Sequence, residues 1–397
     1  MSLLTDPVFW ILYDAFLVSV LVAPWFRHPR SATSQCKMAW DRNVKKVFAV
    51  LFLLVASLAV AQEPEAKRDP KVLVQEGVAL FDAGKYDDAI AKYNQALASD
   101  PQNQAARYEL ALAFTSKSDF KKCRETLEPV IAIRSAQSGM IYNAYANCLD
   151  ASGERVRAIA VYRQGLLISP DEPQLQYNLA ISLLAKNKPT EAREARGLLE
   201  RELVSRPAHA SGHYALARLF QAQHFSVPAI FEYLRFLTLE PSTPRSKTSA
   251  AAAIALMNGF VKVEGKDVKI TLDPSRGDEG DFGVAEMMLG LSGAAAQMAE
   301  ESKSKLEIET LAEQLDVIVS MLTESSEPRQ NFTAQTNLPF FGAMRDKNLI
   351  EPFVYVGFSS LDLPGTRDWI ARNKRRVEAY QRWVEANGRE KPIPVPQ

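Results

Sequence analysis

The sequence predicts an all-α fold: an α-solenoid of about five helix-turn-helix repeats, then a mostly helical C-terminal region with a small β-hairpin. Three observations carry this. Prolines at 101, 170, 207 and 241 close successive units 69, 37 and 34 residues apart, the first interval holding two units. Within each unit apolar residues recur at three and four, the spacing of a buried helical face. After Pro241 both regularities stop.

The first unit shows how such a hairpin is built. Gly77 and Ala89 are small, so two antiparallel helices can approach closely while Tyr93 fills the space above them. The closing Asp100-Pro101, like Ser169-Pro170, ends the second helix, because proline cannot continue it and restricts the residue before it. One hairpin cannot bury its apolar faces alone, whereas stacked neighbours bury a continuous core.

The pattern resembles the tetratricopeptide repeat family. In the first unit Gly77, Leu80, Gly84, Tyr86, Ala89, Tyr93, Ala96 and Pro101 fall on its signature positions. The second unit keeps Ala111, Phe114, Phe120, Leu127 and Val130, with Cys123 where alanine is usual. The third offers Tyr142, Ala146, Leu149, Gly153, Ala158, Tyr162, Gly165 and Pro170. The fourth has Leu179, Ala180, Leu183 and Pro207, with extra residues around Pro189; the fifth has Leu216, Ala217, Phe220, Ala229, Tyr233 and Pro241. The resemblance covers residues 70–241.

It implies a concave face, lined by the first helix of each pair, that binds an extended peptide or another protein. Some members hold an acidic C-terminus there with a clamp of lysine, asparagine and arginine. The clamp's lysine and asparagine are missing from the first unit here, which argues against that mode. The matching positions instead form an apolar and aromatic track with polar contacts: Tyr108, Asn143, Asn147, Tyr177, Tyr214 and Arg218 are the candidate partner-binding residues. The same tyrosines also suit packing between neighbouring repeats.

Lysine plus arginine and aspartate plus glutamate number 47 each, so no global field steers the chain toward nucleic acid or an anionic surface. Residues 38–61 have the three parts of a secretory signal: a basic start at Arg42, Lys45 and Lys46, an apolar stretch, and Ala59 and Ala61 before a cut at Gln62. Residues 1–37, with a second apolar run, are either an extension ahead of a true start at Met38 or a first membrane helix. Both readings place everything after Ala61 outside the cytoplasm, in the periplasm or beyond it. Membrane attachment is expected only through an uncleaved N-terminal segment.

Residues 62–69 read as a linker and 242–260 as a helix capping the solenoid. A C-terminal region follows over 261–390, then an extended proline-rich tail over 391–397. In that region "VKVEGKDVKITLDP" alternates around Gly265 as a hairpin does. Helical patterns cover Phe282 to Glu301 and Lys305 to Leu322, and "NLPFFGAMRDKNLIEPFVYVGF" is apolar enough to be core. The last helix is read as continuous from Gly365 to Asn387, with Trp369, Ile370, Val377, Tyr380 and Val384 on one stripe. Arg372, Lys374, Arg375 and Arg376 lie opposite, as a solvated face.

No phosphate-cradling glycine loop, nucleophile elbow or paired-cysteine metal site is present, and no cofactor or metal is expected. His209 and His213 could share a helix face but have no evident third ligand. Cys123 and Cys148 fall on adjacent helices; they are either a disulfide, in an oxidising compartment, or two small core residues. The expected function is a non-catalytic adaptor for a protein or peptide in the bacterial cell envelope. The alternatives are an enzyme with its site in residues 261–397, and self-assembly through the solenoid ends or final helix.

Overall fold

The computed structural model describes residues 68–132, 138–186, 188–264, 267–272, 282–298, 306–324 and 331–388. The expectations for residues 1–67 and for the tail lie outside these. The described chain forms a unit beginning at Pro70. It carries seventeen α-helices and one two-stranded sheet among the described residues, and none of the helices is long and apolar enough to cross a membrane.

The repeats are five successive hairpins. They pair α1 (Pro70–Asp82) with α2 (Tyr86–Ser99), α3 (Gln104–Ser116) with α4 (Phe120–Ala132) and α5 (Gly139–Ala151) with α6 (Arg155–Ile168). Then α7 (Pro173–Leu184) pairs with α8 (Pro189–Ser205), and α9 (Ala210–Ala222) with α10 (Ser226–Leu239). At Gly77 a Cβ would stand 2.8 Å from Tyr93 Cδ1, and Tyr93 is fully buried. The pairing of α1 with α2 therefore depends on a missing side chain. Gly77→Ala is expected to cost about 1–3 kcal/mol, read as a lowered urea midpoint at unchanged slope.

The turns inside four of the five hairpins share one device. Gly84, Ser118, Gly153 and His224 all sit at positive φ, between 58° and 85°. In each case the next residue's N–H reaches back to the carbonyl five residues earlier, as in Lys85 to Leu80 and Phe225 to Phe220, both at 2.9 Å. This left-handed C-terminal cap favours glycine. Ser118 and His224 adopt it without being glycine, so His224 is placed as a turn residue. Between repeats the closing residues Asp100, Ser169, Arg206 and Glu240 all leave the helical region, with φ between −130° and −137° and ψ between 66° and 90°, in keeping with the proline that follows each.

Beyond the repeats, α11 (Pro244–Asn258) packs on α10, capped by Thr243 and Ser246 exchanging hydrogen bonds. An antiparallel hairpin follows, β1 (Val261–Glu264) with β2 (Asp267–Ile270), Val261 facing Ile270. Then come α12 (Gly283–Met298), α13 (Glu307–Glu324), α14 (Phe332–Asp346), α15 (Ile350–Gly357), α16 (Thr366–Arg372) and α17 (Lys374–Gly388). The aromatic stretch does form core: Phe341, Phe353, Val354 and Phe358 are fully buried.

The last helix corrects one expectation. It is two helices, α16 and α17, broken at Asn373, whose side chain donates to the Trp369 carbonyl (2.9 Å). An asparagine side chain that serves the backbone in this way competes with helical continuation. Arg376 is also not simply solvated. It donates to Glu351 (2.6 Å) and stands over the Trp369 ring, which itself stacks on Tyr355 at 4.0 Å.

One core runs from α9 and α10 through α17, without interruption at Pro241. Phe231 on α10 touches Phe341 on α14, which touches Phe353 on α15. At this junction His213 (α9) and Glu232 (α10) are buried and meet at 2.6 Å, and Asn337 (α14) donates to the other Glu232 oxygen at 2.5 Å. The Pro207 carbonyl accepts from His213 Nε2 (2.9 Å) and from Arg235 (3.0 Å). The Arg235 guanidinium lies 3.7 Å over the Phe340 ring.

Buried phenols make the fold sensitive to alkali. Burial, with smaller contributions from nearby charges, pushes Tyr93, Tyr233 and Tyr355 from 10.0 up to about 12. Burial raises Tyr162 and Tyr380 as well. The folded chain thus keeps protons that the unfolded chain releases from pH 10 upward. The stability they contribute is complete below pH 10 and is lost as pH rises through about 12. Tyrosinate absorbance followed with far-UV circular dichroism should show these phenols ionising together with unfolding, not near pH 10.

Candidate functional site

Successive first helices present equivalent faces, and two pairs of neighbouring repeats leave a cleft between two first helices and the second helix between them. Between α7, α8 and α9 this cleft opens into a trough of about 950 Å³. Tyr177, Ile181 and Leu184 of α7 line it at helical spacing, as do Tyr214, Arg218 and Ala222 of α9. The corresponding cleft one repeat earlier is about 320 Å³ and shares Ile181 with it.

The difference comes from α8. It has 17 residues, against 13 or 14 in the other second helices of the repeats. The extra residues near Pro189 add a turn, entered through Lys188 with Pro189 in the first turn. Pro189, Ala192, Arg193 and Arg196 from this extended start form the second wall of the trough. The irregularity in the repeat length thus enlarges the cleft.

The lining is cationic and aromatic. Lys188, Arg193, Arg196, Arg218 and Arg245 all reach it, and none of the described residues lining it is acidic. Arg196 stands near Glu200 (3.7 Å), and Arg245 pairs with Glu240 (2.6 Å). Lys188, Arg193 and Arg218 are exposed. Tyr214 is flanked by two guanidiniums, Arg218 at 5.7 Å and Arg245 at 5.5 Å from its ring centre. Tyr177 packs edge-on against His209, and burial raises its phenol while a hydrogen bond to Ser211 partly offsets this. The floor is apolar, with Leu184, Leu219 and Phe225.

Of the candidate residues read from the sequence, Tyr177, Tyr214 and Arg218 meet in this trough. Asn147 lines the smaller cleft, where its side chain is already engaged: it accepts from Tyr162 (2.6 Å) and Asn178 (3.1 Å). Asn143 likewise accepts from Asn178 (2.9 Å). The two asparagines tie α5 to α7. Tyr108 lines neither cleft; it packs half-buried against the core of the middle repeats, and burial raises its phenol, helped by Glu109 and Glu172. Lys188, Arg193, Arg196 and Arg245 were not among the sequence candidates. The available signal was the length anomaly at Pro189.

Cys123 on α4 and Cys148 on α5 are brought together as a disulfide, with Cα atoms 6.0 Å apart. His209 meets Glu202 (2.8 Å), while His213 takes part in the buried junction. In the C-terminal region a polar cleft collects Glu309, Glu313, Asp316 and Glu351, and Glu351 is held by Trp369 and Arg376.

The tetratricopeptide repeat motif profile matches residues 80–148. Over 100 residues the chain is 29% identical to the general transcriptional corepressor trfA of Dictyostelium discoideum. That stretch is 25% of this chain and spans only 7% of the corepressor's length. Among solved structures, a thermophilic repeat protein of Thermus thermophilus is similar at 20% identity and a TM-score of 0.38, covering 47% of this chain and 99% of that one. PilF of Pseudomonas aeruginosa is similar at 19% identity and a TM-score of 0.39, covering 48% of this chain and 90% of its own. YrrB, described as having an unusual peptide-binding site, is similar at 15% identity and a TM-score of 0.36, over 45% of this chain and 89% of its own. Residues 80–148 thus carry the tetratricopeptide repeat motif, and paired helices of the same kind continue through α10.

Proposed function

We propose that this protein is a non-catalytic adaptor that holds an extended peptide segment of a protein partner in the trough between α7, α8 and α9. The tetratricopeptide fold is a protein-interaction scaffold, and the observation that carries the finer reading is the trough itself. Its volume, apolar floor and two half-buried tyrosines suit a peptide, since tyrosine presents a large rigid face and one hydroxyl. The secretory pattern of residues 38–61 supports export, so the partner is sought in the cell envelope.

The test is crosslinking in cells followed by affinity capture, comparing wild type with a Tyr177→Ala, Tyr214→Ala double variant. Loss of the captured partner at unchanged thermal stability supports the trough; undiminished capture refutes it. Point variants are the sound choice here. A chain cut after Pro241 would bare Phe231 and Phe236, which the C-terminal region helps cover. Amino-terminal sequencing of the exported protein tests the compartment, with Gln62 the expected first residue.

A further inference from the structure

We infer that the segment accepted by the trough is acidic, with carboxylates on either side of an apolar anchor. This rests on the peptide-binding reading above and names the chemistry of its partner. Five cationic side chains border the trough with no acidic residue among its described lining, although the whole chain balances 47 positive against 47 negative charges. The imbalance is therefore local to this site.

It is also sorted by position. On α8, Glu191 is engaged with Lys186 (3.1 Å) and Glu194 with Arg163 (2.6 Å), while Glu200 stands 3.7 Å from Arg196 and Arg245 pairs with Glu240, so the exposed cations Lys188, Arg193 and Arg218 carry most of the excess. Arg193 and Arg196 occupy the opposite part of the same helix surface, towards α9. Arg218 faces them from α9. An extended chain lying along the trough would pass between these two cationic banks while its apolar residue meets Leu219 and Phe225 on the floor. Guanidinium groups bind carboxylates in a planar, two-point fashion that ammonium groups do not match, and four of the five cations are arginines. The sites are spread over three helices, α8, α9 and α11, so they match a run of side-chain carboxylates better than a single chain terminus.

The experiment pans a phage-displayed random dodecapeptide library against the intact exported chain and against an Arg193→Glu, Arg218→Glu variant. Both substituted residues are exposed, and matched thermal melts establish that the variant folds. Peptides enriched in Asp and Glu are expected. Their affinity should fall roughly tenfold or more in the variant and weaken as salt shortens the Debye length. Enrichment without an acidic bias, lost when Tyr177 and Tyr214 are replaced, overturns the acidic assignment and leaves peptide binding standing. No enrichment at all overturns both. A single-stranded RNA oligonucleotide that displaces the enriched peptides with higher affinity than theirs also overturns the assignment, making the trough a polyanion site.

Discussion

Glu232→Ala is expected to lower the stability of the chain by about 3–5 kcal/mol, because it strands a buried histidine and a buried asparagine at once. Glu232 is wholly buried and accepts from His213 and Asn337. The Pro207 carbonyl can only accept, so His213 Nε2 carries a proton, and a further proton lies between Nδ1 and the carboxylate. Removing the carboxylate leaves that arrangement without its acceptor in a site that water does not reach. Urea unfolding is expected to stay a single transition, because α9 to α17 share one core. Asn337→Leu, which leaves one Glu232 oxygen unpaired, should cost about 1–3 kcal/mol. A His213→Leu, Glu232→Leu double variant should cost less than the sum of its parts, because the polar pair leaves together. A loss under about 1 kcal/mol for Glu232→Ala would mean that water reaches the pair.

This junction was not legible in the sequence, and the reason is distance along the chain. Glu232 and Asn337 are 105 residues apart, and no local pattern couples them. The repeats were legible because their causes are local: a small residue opposite Tyr93, an apolar stripe at helical spacing, and a proline that turns the preceding residue out of the helix. The trough was half legible. Tyr177, Tyr214 and Arg218 follow from knowing which face a first helix presents. Lys188, Arg193 and Arg196 belong to a second helix and reach the trough only because α8 is a turn longer; Arg245 arrives from the cap. Asn143 and Asn147 lie on successive turns of α5, but a sequence does not show that Asn178 donates to both. The break at Asn373 was hidden for a similar reason. Its flanking residues keep helical spacing, and the two helices part only at the Asn373 backbone (φ −111°, ψ 32°), beside its side-chain bond to the Trp369 carbonyl.

Reducing the link between Cys123 and Cys148 is expected to cost about 3.5 kcal/mol, the chain-entropy value for a loop of this size. The two cysteines are 25 residues apart and their Cα separation of 6.0 Å falls in the range that disulfides span. Both are fully buried between α3, α4 and α5, and the Thr115 hydroxyl lies 3.2 Å from Cys123 Sγ. The link joins the second repeat to the third, across the one repeat boundary that lacks a closing proline. Urea unfolding with and without reductant measures the difference, and a Cys123→Ala, Cys148→Ala variant insensitive to reductant is the control. Two free thiols from these positions in denatured, unreduced protein would sink the prediction. Taken on protein alkylated at the moment of cell lysis, the same titration also bears on where the chain resides, because such links persist outside the reducing cytosol. A fully oxidised pair would join the signal-like residues 38–61 in favour of export, whereas a fully reduced pair would set the cysteines against that reading and leave them as small core residues.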